Sequence, residues 1–359
     1  MTSGLTTEQR ALRDAVRAVL ARHHPGPALW ARLAGIGVAG LGVPERYGGS
    51  GAGPVETSIV AEELGRRLTP SPLLGSAVLA GQALLGSGDD AACRRLLPGI
   101  AGGTAVAALA WTTAAGHWDP GRAACRAEPA AAGWKLRGEA HHVLDGDVAD
   151  VLLVAAAAPD GPGLFEVDPG QAGVSRWAVT SMDSSRGLAV VRLDGAAGQR
   201  LGDPARSPAE AALARARDLA CVALSAEQVG AARRALEMTV DYTKVRVQFG
   251  RAIGGFQALQ HRLADLHVLV ESARSLSYAA ARSAGAQAPD AWLRAAAAKV
   301  YCSEALQRVA AETIQLHGAI GITWEHDAHR YLKRAHGGAQ LFGQPAEHVA
   351  RIAAALIDR

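Results

Sequence analysis

Two short breaks in otherwise helical sequence carry the side chains best suited to chemistry. Arg246-Val247-Gln248-Phe249-Gly250, with Ile253, Phe256 and Gln257 beyond, interrupts an apolar periodicity with a glycine and then lets it resume. Such a break presents a guanidinium and free backbone N–H groups, the donors that bind phosphate; an ordinary interhelical turn has the same outline. Gln315-Leu316-His317-Gly318-Ala319-Ile320-Gly321 ends the apolar stripe that begins at Leu306, and its glycines suit left-handed helix C-caps. About 70 residues apart and both flanked by helix, the two breaks read as a pair. Two further patterns carry less. Gly35-Ile36-Gly37-Val38-Ala39-Gly40 fits a dinucleotide-binding GxGxxG, but helix-like sequence precedes it where that fingerprint needs a strand. Glu325-His326-Asp327-Ala328-His329, with His336, places two histidines on one helix face; no cysteine or carboxylate is placed to complete a metal set, so a polar helix face without metal is expected.

The elements that must position these residues follow from periodicity. Leu12, Val16, Val19 and Leu20 recur at helical spacing, and Thr6 with Gln9 forms a capping box in front of them. A Gly/Pro-rich loop over 40–54 leads to a helix near 57–68 that stops before Pro70. Between residues 104 and 202 the period shortens. Val151–Val154, Leu164–Val167, Val174–Val179 and Leu188–Leu193 read as strands, the last with Ala189, Val191 and Leu193 inward and Val190, Arg192 and Asp194 outward. No long helices alternate with them, which predicts an antiparallel barrel or sandwich. Helical stripes then return: Leu259, Leu263, Leu266 and Val270; Leu306, Val309, Thr313 and Leu316; and Val349, Ile352 and Leu356 packing as a last stripe on a bundle. The fold class is α+β multidomain, with a helical domain over 1–103, a β domain over 104–206 and a helical bundle over 207–359.

Composition excludes several functions. A chain of 359 residues with 49% hydrophobic residues has core enough for several domains and is not disordered. A net charge of +3, with scattered basic residues, argues against a nucleic-acid partner. No apolar run reaches the roughly 20 residues of a membrane span. Glu8, Arg10, Arg13 and Asp14 stand where a signal peptide would be apolar, and Cys93, Cys125, Cys221 and Cys302 lie far apart, so a cytoplasmic protein without a disulfide framework is expected.

In order and spacing the chain resembles the acyl-CoA dehydrogenase family over nearly all its length. The residues that carry the resemblance are Leu33-Ala34-Gly35-Ile36-Gly37 through Gly42-Val43-Pro44-Glu45-Arg46-Tyr47-Gly48-Gly49, then Ala61-Glu62-Glu63-Leu64-Gly65, Gly133-Trp134-Lys135-Leu136-Arg137-Gly138 to Ala149-Asp150, Asp241-Tyr242 through Gln257, and Gln315 through Gly321. The resemblance implies three domains, FAD, and α,β-dehydrogenation of an acyl-CoA or acyl-carrier thioester. A carboxylate takes the α-proton while the β-hydrogen leaves as hydride, and an electron-transfer protein reoxidises the flavin. It implies flavin sites shared by two subunits, in which Arg246, Gln248, Phe249, Gln257, Gln315 and Gly318 serve the partner's cofactor. Thr112, Thr113 and His142 are the cofactor contacts expected on the resident side.

The resident side departs from the family pattern. The two family positions for the base hold Gly343 and Val247, and neither accepts a proton. Pro345 replaces the usual threonine after the base, Leu144 the threonine facing flavin N5, and His142 the usual tryptophan. Trp111-Thr112-Thr113, then Ala114, stand at the Thr-Glu segment. A missing general base costs about 10²–10⁴ in rate, roughly 3–5 kcal/mol. Because the losses fall on one half-site, the expected function is a base-lacking subunit that lends its half to a catalytic family member in an α₂β₂ tetramer, acting on a bulky acyl group. The alternatives are a homo-oligomeric flavoenzyme using His142, Asp145, Glu347 or no base, including flavin-dependent oxygenation, and a non-catalytic interaction protein.

Overall fold

The computed structural model describes residues 4–131 and 133–357. The chain forms two compact units. One gathers the N-terminal segment up to Arg13, Ser58–Thr69 and the chain from Cys221 onward; the other holds Asp14–Thr57 and Pro70–Ala220.

The first helix, α1 (Thr7–Arg22), opens with both bonds of the capping box: Thr6 N–H donates to Gln9 Oε1 at 3.0 Å, and Gln9 N–H to Thr6 Oγ1 at 3.1 Å. α2 (Pro27–Gly35) carries proline in its first turn, where a missing N–H is harmless. It confirms that helix, not strand, precedes the GxGxxG-like run. α3 (Pro54–Arg66) starts three residues before the expected position, because Pro54 also suits a first helical turn. A π-helical run, Leu73–Ala80, leads into α4 (Gly81–Gly86) and α5 (Asp90–Ala101), the latter capped by Asp89 accepting from Ala92 N–H at 2.9 Å.

The strands are β1 (Ala107–Ala110), β2 (Cys125–Ala130), β3 (Gly133–Leu144), β4 (Val151–Ala158), β5 (Gly161–Val167), β6 (Val174–Ala178) and β7 (Leu188–Leu201). Pairing runs β4-β2-β3-β7-β5 and back to β4, closing a barrel around Ala127, Leu136, Leu152, Val154, Phe165 and Val191. The barrel is not wholly antiparallel: β1 and β2 both pair β4 in parallel. The β2–β3 hairpin intervenes between β1 and β4, and β3 between β2 and β4, supplying the crossovers that parallel neighbours need. Val190, expected outward, is buried, because β6 brings Trp177 alongside it.

The helical unit contains the end of α3, most of α6 (Ala209–Val245), α7 (Gln257–Gly285), α8 (Ala291–His317), α9 (Ala328–Gln340) and α10 (Pro345–Ile357). Between α6 and α7 lies a hairpin of two-residue strands, β8 (Val247–Gln248) and β9 (Arg251–Ala252). Leu306, Val309, Thr313 and Leu316 are all buried, as their spacing predicts. α3 and α6 cross at glycines: a Cβ on Gly65 would stand 2.0 Å from the Glu227 carbonyl oxygen, and one on Gly230 1.9 Å from that of Glu62. The stripe expected on α10 packs only at Ile352, which is half-buried. Val349 and Leu356 are 51% and 55% exposed, and the residue that turns inward is His348. Periodicity located the helix, but a buried histidine beside the stripe rotated its inner face.

Candidate active site

The arginine motif folds as a projecting hairpin. Gln248 pairs with Arg251 and Val247 with Ala252, and the two residues between have positive φ, 52° at Phe249 and 75° at Gly250. Positive φ at both central positions is the turn whose twist matches a tight hairpin. Phe249 is 91% exposed, and its ring meets Phe256 edge-on at 6.1 Å. Arg246, Val247, Gln248 and Gln257 are exposed too.

The glutamine motif closes α8. Gln315 is exposed, Leu316 and His317 are buried, and Gly318 adopts φ 65°, ψ −145°, a conformation that suits glycine. Tyr242 of α6 and His317 of α8 stack with centroids 4.4 Å apart, so both motifs leave the same end of the helical unit. His326 and His329 do not converge on a metal: His326 lies 4.4 Å from the His317 ring and accepts from Ala328 N–H, while His329 packs against Trp324.

These residues suit an anionic, nucleotide-bearing group. The side chains of Arg246, Gln248, Gln257 and Gln315 make no hydrogen bond or ion pair among the described residues. The N-terminus of α7 begins at Gln257 with no side-chain cap, leaving first-turn N–H groups beside the hairpin. An arginine, amides and an uncapped 29-residue helix are donors for a pyrophosphate and its nucleoside.

Gly343 lies in the turn between α9 and α10. Its φ is 105°, following Phe342 at 61°. A Cβ there would meet His348 Nε2 at 3.0 Å and Glu347 Oε2 at 3.3 Å. His348 Nε2 is engaged with the Phe342 carbonyl at 3.0 Å, and Pro345 begins α10, where proline's fixed φ suits the first turn. Beneath the turn, Lys299 is fully buried and donates to the Gly338 and Ala339 carbonyls, at 3.3 and 2.9 Å, and to Ser303 Oγ at 3.1 Å. Burial pulls this lysine down to about 8. Its only sequence signal is a lysine preceded by Ala295, Ala296 and Ala298, which matches no motif.

Thr112, Thr113 and His142 lie in the other unit. Thr112 donates its hydroxyl to the His141 carbonyl and accepts the His141 N–H at its own carbonyl, 2.8 Å. Thr113 is half-buried, and its carbonyl accepts from Gly116 N–H. β3 bulges between Ala140 and Val143, and His142 takes φ 53°; bulges of this kind re-aim side chains. Its buried Nδ1 has no hydrogen-bond partner among the described residues, and burial, then His141, holds its pKa low. Leu144 is buried, and Asp145 follows with φ 57°. The π-helical run packs on this corner: a Cβ on Gly75 would stand 2.6 Å from Asp145 Oδ2. Burial raises Asp145 to about 7 against the opposing pull of Arg186.

Residues 6–104 match the model of the acyl-CoA dehydrogenase N-terminal domain, and residues 210–357 that of its C-terminal domain. The chain belongs to the acyl-CoA dehydrogenase family. Acyl-CoA dehydrogenase IpdE2 of Mycobacterium tuberculosis is 38% identical over 96% of each chain. Among solved structures, a variant of the Tcur3481-Tcur3483 steroid ACAD has a TM-score of 0.87 at 32% identity over 98% of each chain. The ChsE4-ChsE5 complex from Mycobacterium tuberculosis has 0.89 at 27% over the whole of each. Membership makes the chain an oxidoreductase of the CH–CH bond of acyl-CoA thioesters, with FAD as cofactor. The family's helical, β, helical order is the one read from periodicity. No helix among the described residues is long and apolar enough to cross a membrane.

Proposed function

We propose that this acyl-CoA dehydrogenase chain is the base-lacking subunit of a heteromeric enzyme, lending Arg246, Gln248, Phe249, Gln257, Gln315 and Gly318 to the flavin of a catalytic partner chain. What carries the reading is a contrast within one unit. The hairpin offers uncommitted donors and an exposed aromatic ring, while Gly343 has a backbone that resists side chains and neighbours that fill the space a base would need. FAD, when bound, would supply the hydride acceptor for the β-hydrogen. In this reading a carboxylate of the partner takes the α-proton, and this chain binds and orients the cofactor's nucleotide portion. The names of two similar structures, a steroid ACAD and a complex of two differently named chains, support a bulky acyl group and an α₂β₂ assembly. The same reading keeps domains at 1–103, 104–206 and 207–359, a cytoplasmic setting, and an electron-transfer protein as oxidant.

The test is flavin stoichiometry, from visible absorbance against protein concentration. The chain alone should carry little FAD, and coexpression with its partner should give about half a flavin per chain. Replacing Phe249 with Ala should leave the isolated chain's melting unchanged, within about 0.5 kcal/mol for so exposed a side chain, yet lower the complex's flavin content. One FAD per chain, with acyl-CoA oxidised unaided, overturns the reading.

Asp145 favours a second reading, a homo-oligomer with another base, since a carboxyl near 7 is poised for proton transfer at neutral pH. Oxygen consumption coupled to product hydroxylation on the isolated flavoprotein identifies its oxygenase form.

A further inference from the structure

The arginine hairpin and the glutamine turn come from helices far apart in sequence, yet the ends of those helices are joined. Near the ends of the two helices, Thr239 Oγ1 of α6 donates to Thr313 Oγ1 of α8 at 3.0 Å. One turn further along, the Tyr242 ring stacks on His317 at an interplanar angle of 26°, and Tyr242 Oη donates to the His317 carbonyl at 3.3 Å. Both rings are anchored to the motifs. The Tyr242 carbonyl accepts from Arg246 N–H at 2.9 Å, and the Arg246 carbonyl in turn accepts from Ile253 N–H at 2.8 Å, closing the hairpin's base. His317 lies between Gln315 and Gly318 and donates from Nδ1 to the Thr313 carbonyl at 2.7 Å. His326 flanks the pair, its ring centroid 4.4 Å from that of His317 and 6.5 Å from that of Tyr242, with Nδ1 held by Ala328 N–H at 3.1 Å.

We infer that Tyr242 and His317 are positioning residues that set the distance between Arg246 and Gln315–Gly318, and so the span of nucleotide the two motifs hold together. Neither side chain need touch the cofactor. A diphosphate bridging two donor groups is held well only when they are correctly spaced, and a displacement of about 1 Å at one of them is costly. Ring contact is the working part. A phenyl ring at 242 keeps the stack and loses only a long hydrogen bond. An aliphatic side chain lets α6 and α8 move at their ends, as does a small amide at 317, although it keeps a donor for the Thr313 carbonyl.

The inference rests on the reading above for whose flavin is held, and the experiment separates the two. FAD dissociation constants are measured by flavin fluorescence on the reconstituted complex, with melting of the apo-complex recorded in parallel. Tyr242→Phe should stay within about threefold of wild type, while Tyr242→Leu and His317→Asn should weaken FAD about tenfold or more. In an Arg246→Ala background, Tyr242→Leu should add little, because a residue acting through Arg246 cannot act twice. Full additivity, or a lower melting point with unchanged FAD affinity, overturns the inference and assigns the stack to stability alone. If wild-type chain alone binds one FAD, the subunit reading fails, and the same cycle on that homo-oligomer still decides the positioning role.

Discussion

Gly343→Glu places the family's base where this chain has none. At φ 105° an L-residue is strained by about 1–3 kcal/mol. Its Cβ would meet His348 Nε2 at 3.0 Å and Glu347 Oε2 at 3.3 Å. The histidine is buried and engaged with the Phe342 carbonyl, so Glu347, exposed and flexible, must give way. Two carboxylates about 5 Å apart repel by about 3 kcal/mol at an effective dielectric of 20, and solvent around Glu347 screens most of that. The sum is a loss of about 2–4 kcal/mol, a melting point lower by several degrees. The isolated chain should gain no acyl-CoA oxidation, followed with an artificial electron acceptor. Gly343→Ala shares the backbone cost and measures it separately. If Gly343→Glu melts within a degree of wild type and gains the roughly 10²-fold or more expected of a placed base, the turn is a base site that merely lacks its residue, and the conformational argument is wrong.

Two further perturbations are read by melting against pH. Asp145 has a folded pKa raised to about 7, so its favourable contribution is complete below about pH 4 and is lost as pH rises through 7. Asp145→Asn should therefore raise the melting point more at pH 8 than at pH 5, and an equal shift at both refutes the burial cost. Lys299 has a folded pKa lowered to about 8 from 10.5, so the native state sheds this proton first and gains stability between pH 8 and 10.5. Lys299→Met, which abandons the Gly338 and Ala339 carbonyls, should be destabilised by about 2–4 kcal/mol at pH 7. Its melting deficit should widen towards pH 9.5, and a constant deficit would contradict the assignment.

Local rules with short reach were legible in the sequence. The Thr6–Gln9 capping box, the Leu306 stripe and the hairpin break at Gly250 each depend on residues within a turn or two, and each folds as its chemistry dictates. What was not legible depends on neighbours distant in sequence. The outward assignment of Val190 failed because β6 covers that face of β7. The purely antiparallel barrel failed because β4 receives two parallel partners. On α10 the hydrophobic stripe misled because His348 is held inward by the Phe342 carbonyl, an interaction no apolar count contains. Gly343 could be named as the missing base from its place in a motif, but its positive φ and the Glu347 carboxylate filling its side-chain space emerge only in three dimensions. Lys299 and the Tyr242–His317 stack escaped for a related reason: each acts on backbone or rings supplied by another helix.

The glycine crossing of α3 and α6 makes the later helix a ruler. With backbones in contact at Gly65 and Gly230, α6 has no freedom to slide, because any side chain entering the contact meets a carbonyl about 2 Å away. From Gly230 to the hairpin the helix rises about 1.5 Å and turns about 100° per residue. Arg246 is thereby held about 24 Å along the axis from the crossing, at a fixed bearing. Point substitutions on the exposed side of this stretch leave that measure intact. A single inserted or deleted residue does not: it swings the hairpin a quarter-turn or more around the axis and takes Arg246 away from Gln315. Length variation in relatives of this chain should therefore accumulate in its loops, while the interval between this glycine and the arginine stays constant.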